Sequence, residues 1–186
     1  EALQTELPLR AVFETPTPLG LAAAVVCLAM SRLQPLLQPG PVARPRSAGE
    51  PVPLSAMQQR LWFLERLQPG TAAYHLHWLL RLRGPLDRVA LQIAVDALVA
   101  RHEVLRTAFV EQAGVPAQMI ASALSLPAGA ATAATSADIR ALIAQPFNLA
   151  AAPLLRVTLL EHGPQDHQLL IVMHHLIADG WSFSVL

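Results

Sequence analysis

The chain has a single cysteine, Cys27, in 186 residues. That excludes an internal disulfide framework and a cysteine-rich metal knuckle, and it suits the cytosol. Neither sign of charge is in excess, since 13 Lys and Arg stand against 13 Asp and Glu. With no basic run either, nothing points to nucleic acid. Charged residues are scarce (14%) and apolar ones abundant (53%), so a disordered acidic or basic tail is excluded. Long apolar runs are missing too. The most apolar stretch, "LGLAAAVVCLAM" (19–30), is too short to span a bilayer and is dominated by Ala. No basic n-region opens the chain as in a signal peptide, so the expectation is a cytoplasmic protein with no membrane partner.

Proline is what the chain has in plenty, and its 16 residues cluster. "QPLLQPGPVARPRSAGEPVP" (34–53) has linker composition, with no apolar periodicity. It divides the chain into residues 1–30, a linker at 31–50 and a larger region at 51–186. The first part, with an Ala-rich helix starting near Leu19, carries too few large apolar residues for a core of its own. It reads as the tail of something that begins upstream.

From residue 51 the pattern is regular. "PLSAMQQRLWFLERLQPG" predicts a helix capped by Ser55, with Leu61, Phe63, Leu64 and Leu67 at helical spacing and a stop at Pro69-Gly70. A strand is expected over 75–83. "LDRVALQIAVDALVARH" predicts an amphipathic helix capped by Asp87 and burying Val89, Ile93, Ala97 and Leu98. "LRTAFVEQAGVPAQMI" reads as a hairpin turning near Ala113-Gly114. "LSLPAGAATAATSA" reads as a loop, "ADIRALIAQPF" as a short helix, and "LLRVTLLEHGPQDHQLLIVMHH" as two buried strands joined at Gly163-Pro164. A helix is expected to open at Trp181. The order is α-β-α-β-β-α-β-β, a mixed α/β domain.

The last strand delivers His174 and His175, then Asp179 and Gly180. Successive strand residues point to opposite faces, so only one of the two histidines can face a given cleft. A histidine where strand yields to loop is well placed to meet a ligand. Asp179 could fix the turn or pair with a cation, and Gly180 lets backbone approach a ligand closely. A pair of buried core histidines is the plainer alternative, and local chemistry leaves the choice open. His162 and His167 lie nearby, but their spacing matches no zinc pattern, so no metal is expected.

Three ordered stretches, "LSAMQQRLWFLERL" (54–67), "RHEVLRTAF" (101–109) and "MHHLIADGWS" (173–182), resemble the first three core motifs of condensation domains from non-ribosomal peptide synthetases. "LRLRGPLD" and "PFNLAAAPLLRVTLL" also look like that family, so the resemblance covers nearly all of 51–186. "LPLRAVFETPTPLGLA" is similar to the last helices of a peptidyl carrier domain.

The resemblance implies the N-terminal lobe of a chloramphenicol-acetyltransferase-like condensation fold, preceded by a short all-α carrier remnant. The implied reaction is attack of a carrier-bound aminoacyl amine on a carrier-bound acyl or peptidyl thioester. His175 would face the reacting groups and His174 would pack inward. Gly180 would supply backbone near the thioester, and Asp179 would be structural, with an arginine of a second lobe as its partner. Arg101 and Arg106 would brace the fold, and Trp181 belongs to the motif. The implied partners are upstream and downstream carrier domains bearing 4'-phosphopantetheine, and an adenylation domain in the same assembly.

Aspartates in place of His174 and His175 would mark heterocyclisation, and a tryptophan after the serine would mark epimerisation. This chain has neither, and its first motif is more similar to the type accepting an upstream L-residue. The carrier's modified serine is expected upstream of Glu1 and the second lobe downstream of Leu186, so the chain alone is expected to be inactive. A CoA-dependent acyltransferase with the same HHxxxDG pattern, and a non-catalytic lobe that docks carriers, stand as alternatives.

Overall fold

Ser55 shows how locally this chain starts its elements. Its hydroxyl accepts the Gln58 N–H at 3.2 Å while the Gln58 side chain accepts the Ser55 N–H at 2.9 Å. This capping box opens α1 (Ala56–Leu67), directly after the two-residue strand β1 (Val52–Pro53). In the computed structural model the described residues are 17–23, 25–26, 45–47, 49–132 and 135–185. Two units are distinguished, Glu1–Pro45 and Arg46–Leu186. In the first, residues 18–23 and 25–26 are helical, and Thr17 accepts the Gly20 N–H on its hydroxyl. The expectations for 1–16 and for the linker over 31–44 lie outside the described residues.

In the second unit β2 (His75–Arg83) follows α1, and Asp87 caps α2 (Arg88–Arg101) by accepting the N–H groups of Val89 and Ala90. A 3₁₀ turn over Glu103–Arg106 leads into the hairpin β3 (Thr107–Gln112) and β4 (Val115–Ile120). Its two-residue turn puts Ala113 and Gly114 at φ 50° and 81°, the left-handed twist that tight hairpins need. Then come β5 (Gly129–Thr132), α3 (Ser136–Ala144), and the long pair β6 (Leu155–Gly163) and β7 (Asp166–His174).

The strands form two sheets, β1-β4-β3 and β2-β7-β6-β5. The larger one is mixed: β5 runs parallel to β6 and the other pairs are antiparallel. β7 lies inside it, between β2 and β6, and both of its faces are covered. Leu169 and Met173 join α2 residues Val95 and Val99 and the loop residues Leu105 and Leu154 in one cluster. Leu170 and Val172 join Leu160 on the other face, against Ile139, Leu142 and Ile143 of α3. A strand buried on both faces reads as an uninterrupted apolar run, which is how "LLIVM" reads.

Four expectations need correction. Residues 129–132 are a strand, where the sequence reads as loop. The strand is delivered by α2: Gln92 donates to Leu126 O (2.8 Å) and accepts from Ala128 N–H (2.9 Å), while Asp96 accepts from Leu126 N–H (3.2 Å). These bonds hold backbone with no side-chain pattern of its own against the edge of β6. The second correction is the phase of α2. Val89 and Ile93 are 70% and 63% exposed and Ala97 is exposed, whereas Val95 and Val99 are buried. The helix turns toward the core the face that carries Gln92 and Asp96. The third is on α1, where Phe63 and Leu67 are exposed while Leu61 and Trp62 pack on the core. The last is at Trp181, which precedes only a 3₁₀ turn, Ser182–Ser184.

Candidate active site

The end of β7 is held from both sides at the histidines themselves. His174 N–H donates to Leu154 O at 3.0 Å, and His175 N–H donates to Tyr74 O at 2.8 Å. The chain then turns, Ile177 N–H donating to His174 O. The two side chains part as strand geometry requires. His174 is 1% exposed, with the rings of His75, Phe147 and Tyr74 at 6.0, 6.1 and 6.3 Å between centroids. His175 is half-buried and lines a cleft of about 300 Å³ with Met57, Gln58, Leu61, Asp179 and Ser182.

His174 is neutral. Burial, with His75 and His175 close by, pushes its pKa down to about 4. Its Nδ1 accepts the Leu176 N–H at 3.1 Å, so the ring proton sits on Nε2. Leu176 is gripped from its other side as well, its carbonyl accepting from Gln58 Nε2 at 3.2 Å.

Asp179 closes the loop. One carboxylate oxygen accepts the Ser182 N–H (2.8 Å) and hydroxyl (2.7 Å), and the Asp179 N–H donates to the Ser182 hydroxyl (3.0 Å). These bonds hold the Asp179 carboxyl below the usual carboxylate range. A Cβ built on Gly180 meets nothing within 4 Å, so packing within the described residues does not demand glycine there. Trp181 is 75% exposed beside it.

The two arginines of the second motif stand apart from this loop. Arg106 donates to Ala121 O, accepts the Ala121 N–H on its own carbonyl, and pairs with Glu103, tying the 3₁₀ turn to the end of β4. Arg101 is exposed at the end of α2. Among the described residues no group of three or more His, Cys, Asp or Glu could hold a metal ion. No described helix is long and apolar enough to cross a membrane.

Two residues that the sequence reading passes over belong to this site. Gln58 touches the histidine loop directly, and Glu65 lies 3.8 Å from His174. Their spacing of seven residues puts both on one face of α1. A polar pair at that spacing inside "LSAMQQRLWFLERL" is the signal that could have marked them.

The model of the condensation domain family matches residues 49–186. A phosphinothricin tripeptide synthetase of Streptomyces viridochromogenes is 37% identical over the whole chain, which spans only 16% of that relative. Among solved structures, the X-domain from teicoplanin biosynthesis is 36% identical, with a TM-score of 0.64 over 78% of this chain and 31% of its own. The starter condensation domain of rhizomide synthetase shares the fold at 22% identity, with a TM-score of 0.63 over 73% of this chain and 35% of its own.

Proposed function

The chain belongs to the condensation domain family, and from that premise we propose that it supplies the histidine-bearing lobe of a domain that forms peptide bonds in a non-ribosomal peptide synthetase. The observation that carries this reading is the division of labour at the end of β7: His174 is sealed in the core and neutral, while His175 opens into a cleft. In the reaction, the amine nitrogen of a carrier-bound aminoacyl group attacks the carbonyl carbon of a carrier-bound thioester. The C–N bond forms, the C–S bond breaks, and the amine gives up a proton that leaves with the thiol.

A free α-amino group has a pKa of about 7.7–8.0, so a useful share is already neutral near pH 7. His175 therefore has less need to deprotonate the free amine than to orient it and accept its proton as the tetrahedral centre forms. Gly180, next to Asp179 of the cleft, has open space where a Cβ would stand, which suits a close approach of its backbone to the thioester. Asp179 holds the turn through Ser182, and Arg106 braces the hairpin.

The substrates in this reading ride on 4'-phosphopantetheine arms of upstream and downstream carrier domains, loaded by an adenylation domain of the same cytoplasmic assembly. Residues 1–30 fit the tail of the upstream carrier and 31–50 the linker to the lobe at 51–186. In support, the phosphinothricin tripeptide synthetase aligns over the whole chain, including the part before residue 49.

A second reading, a lobe that docks a partner without catalysing, draws support from the X-domain at 36% identity, which has been solved in complex with OxyB. Single-turnover transfer between two pre-loaded carriers, in the synthetase that contains this chain, separates the readings. Dipeptide formed from the carrier thioester, and none when acyl-CoA replaces the donor carrier, is the expected result. Transfer from acyl-CoA would favour a CoA-dependent acyltransferase, and no transfer from either donor would favour docking.

A further inference from the structure

Helix α1 packs Leu61 and Trp62 on the core, yet neither is the residue it buries most deeply. Its one buried residue is a carboxylate, Glu65 at 7% exposure, while Met57, Phe63 and Leu67 are 57–63% exposed. Burying a carboxylate is costly unless hydrogen bonds or a partner offset the lost water. Gly70 N–H offsets part of it, donating to Oε1 at 3.0 Å.

Oε2 has no such bond. It lies 3.8 Å from His174 Nε2, and neither atom has a hydrogen-bond partner. Among the described residues only three buried side-chain polar atoms are in that state, and two of them face each other here; the third, His167 Nδ1, is at the far end of β7. Because His174 Nδ1 accepts the Leu176 N–H, the ring proton sits on Nε2, 3.8 Å from a carboxylate oxygen and roughly half an ångström beyond bonding range. A carboxylate behind an imidazole fixes which nitrogen carries the proton and how the ring is turned.

We infer that Glu65 is a positioning residue: its carboxylate, standing opposite the Nε2 proton of His174, favours the tautomer whose Nδ1 holds Leu176 N–H, and so the turn that presents His175. Seven residues earlier on the same helix, Gln58 holds the Leu176 carbonyl. The first sequence motif thereby clamps the third on both sides of one residue, Leu176. That the turn serves His175 rests on the function proposed above, whereas the Glu65–His174 pairing does not.

The test reads the His174 tautomer by long-range ¹H–¹⁵N correlation at pH 7, and transfer in the synthetase that contains the chain. Wild-type His174 should be protonated on Nε2 alone. Glu65→Gln should add a visible population protonated on Nδ1 and lower kcat about 10-fold, the scale on which residues behind a functional histidine act, with KM for either carrier within about twofold. Glu65→Asp, which keeps the charge one methylene further back, should fall between the two and serves as the variant if Glu65→Gln does not fold. A proton on Nδ1 in the wild type would overturn the inference. So would an unchanged tautomer in whichever variant folds, or a shifted tautomer with unchanged kcat. A wild-type protein without transfer would defeat the proposed function and leave the pairing standing.

Discussion

Helices α1 and α2 use one device for two ends. Each begins at a side-chain cap, Ser55 or Asp87, and each turns two polar side chains inward, with Gln58 of α1 and both Gln92 and Asp96 of α2 bonded to backbone far away in sequence. In α2 the pair is complete. Gln92 bonds Leu126 O, Ala128 N–H and Asp96, and Asp96 also accepts the Ser125 hydroxyl and Leu126 N–H. In α1 Gln58 is likewise bonded, but Glu65 keeps one buried oxygen without a hydrogen bond. A satisfied polar network specifies structure, and here it places β5. An incomplete one, where buried polar groups ordinarily find partners, points to a place kept for something other than stability. The open oxygen lies under the histidine loop.

The comparison is sharpest in its pH dependence. The unfolded chain protonates His174 near pH 6.5, while the folded chain resists until about pH 4. Between those values the unfolded state binds more protons, so stability falls as pH drops from 6.5 to 4, by up to about 3 kcal/mol at about 1.4 kcal/mol per pH unit. Urea unfolding at pH 7, 5.5 and 4 should show this fall, and a flat profile would mean that His174 titrates normally. The α2 side should lack this window. Gln92→Ala removes two hydrogen bonds to loop backbone and should cost about 2 kcal/mol, equally at pH 7 and pH 5.5. A cost confined to one pH would break the contrast. Smallest of all should be Ile93→Ser. The sequence pattern assigns Ile93 to the core, but its 63% exposure predicts a change within about 0.5 kcal/mol. A loss of several kcal/mol would restore the phase read from the sequence.

What was legible in the sequence was what neighbours in the chain decide. The caps at Ser55 and Asp87, the Ala113-Gly114 turn and the paired strands β6 and β7 follow from local chemistry, and the fold class follows from their order. The alternation of His174 and His175 needed only strand periodicity. What was missed depends on distant partners. "GAAT" has no side chains that announce a strand, and Gln92, far earlier in the chain, makes it one. The phase of α2 could not be read because Ala, Val and Ile occur around most of the helix, leaving Gln92 and Asp96 to decide which side turns inward. Glu65 was hidden for a related reason. A glutamate on a helix reads as solvated, and only the fold brings His174 over it.

The central claim is that His175 faces the chemistry while His174 serves the fold. Single-turnover dipeptide formation with pre-loaded carriers, paired with thermal melts of the same proteins, tests it most directly. His175→Ala should lower transfer by about 10²-fold or more, the scale of a positioned acid–base group, and leave the melting temperature nearly unchanged. His174→Ala should instead lower the melting temperature, because it empties a site that is 1% exposed and frees the Leu176 N–H. Wild-type transfer by His175→Ala, together with a stably folded but inactive His174→Ala, would contradict the account.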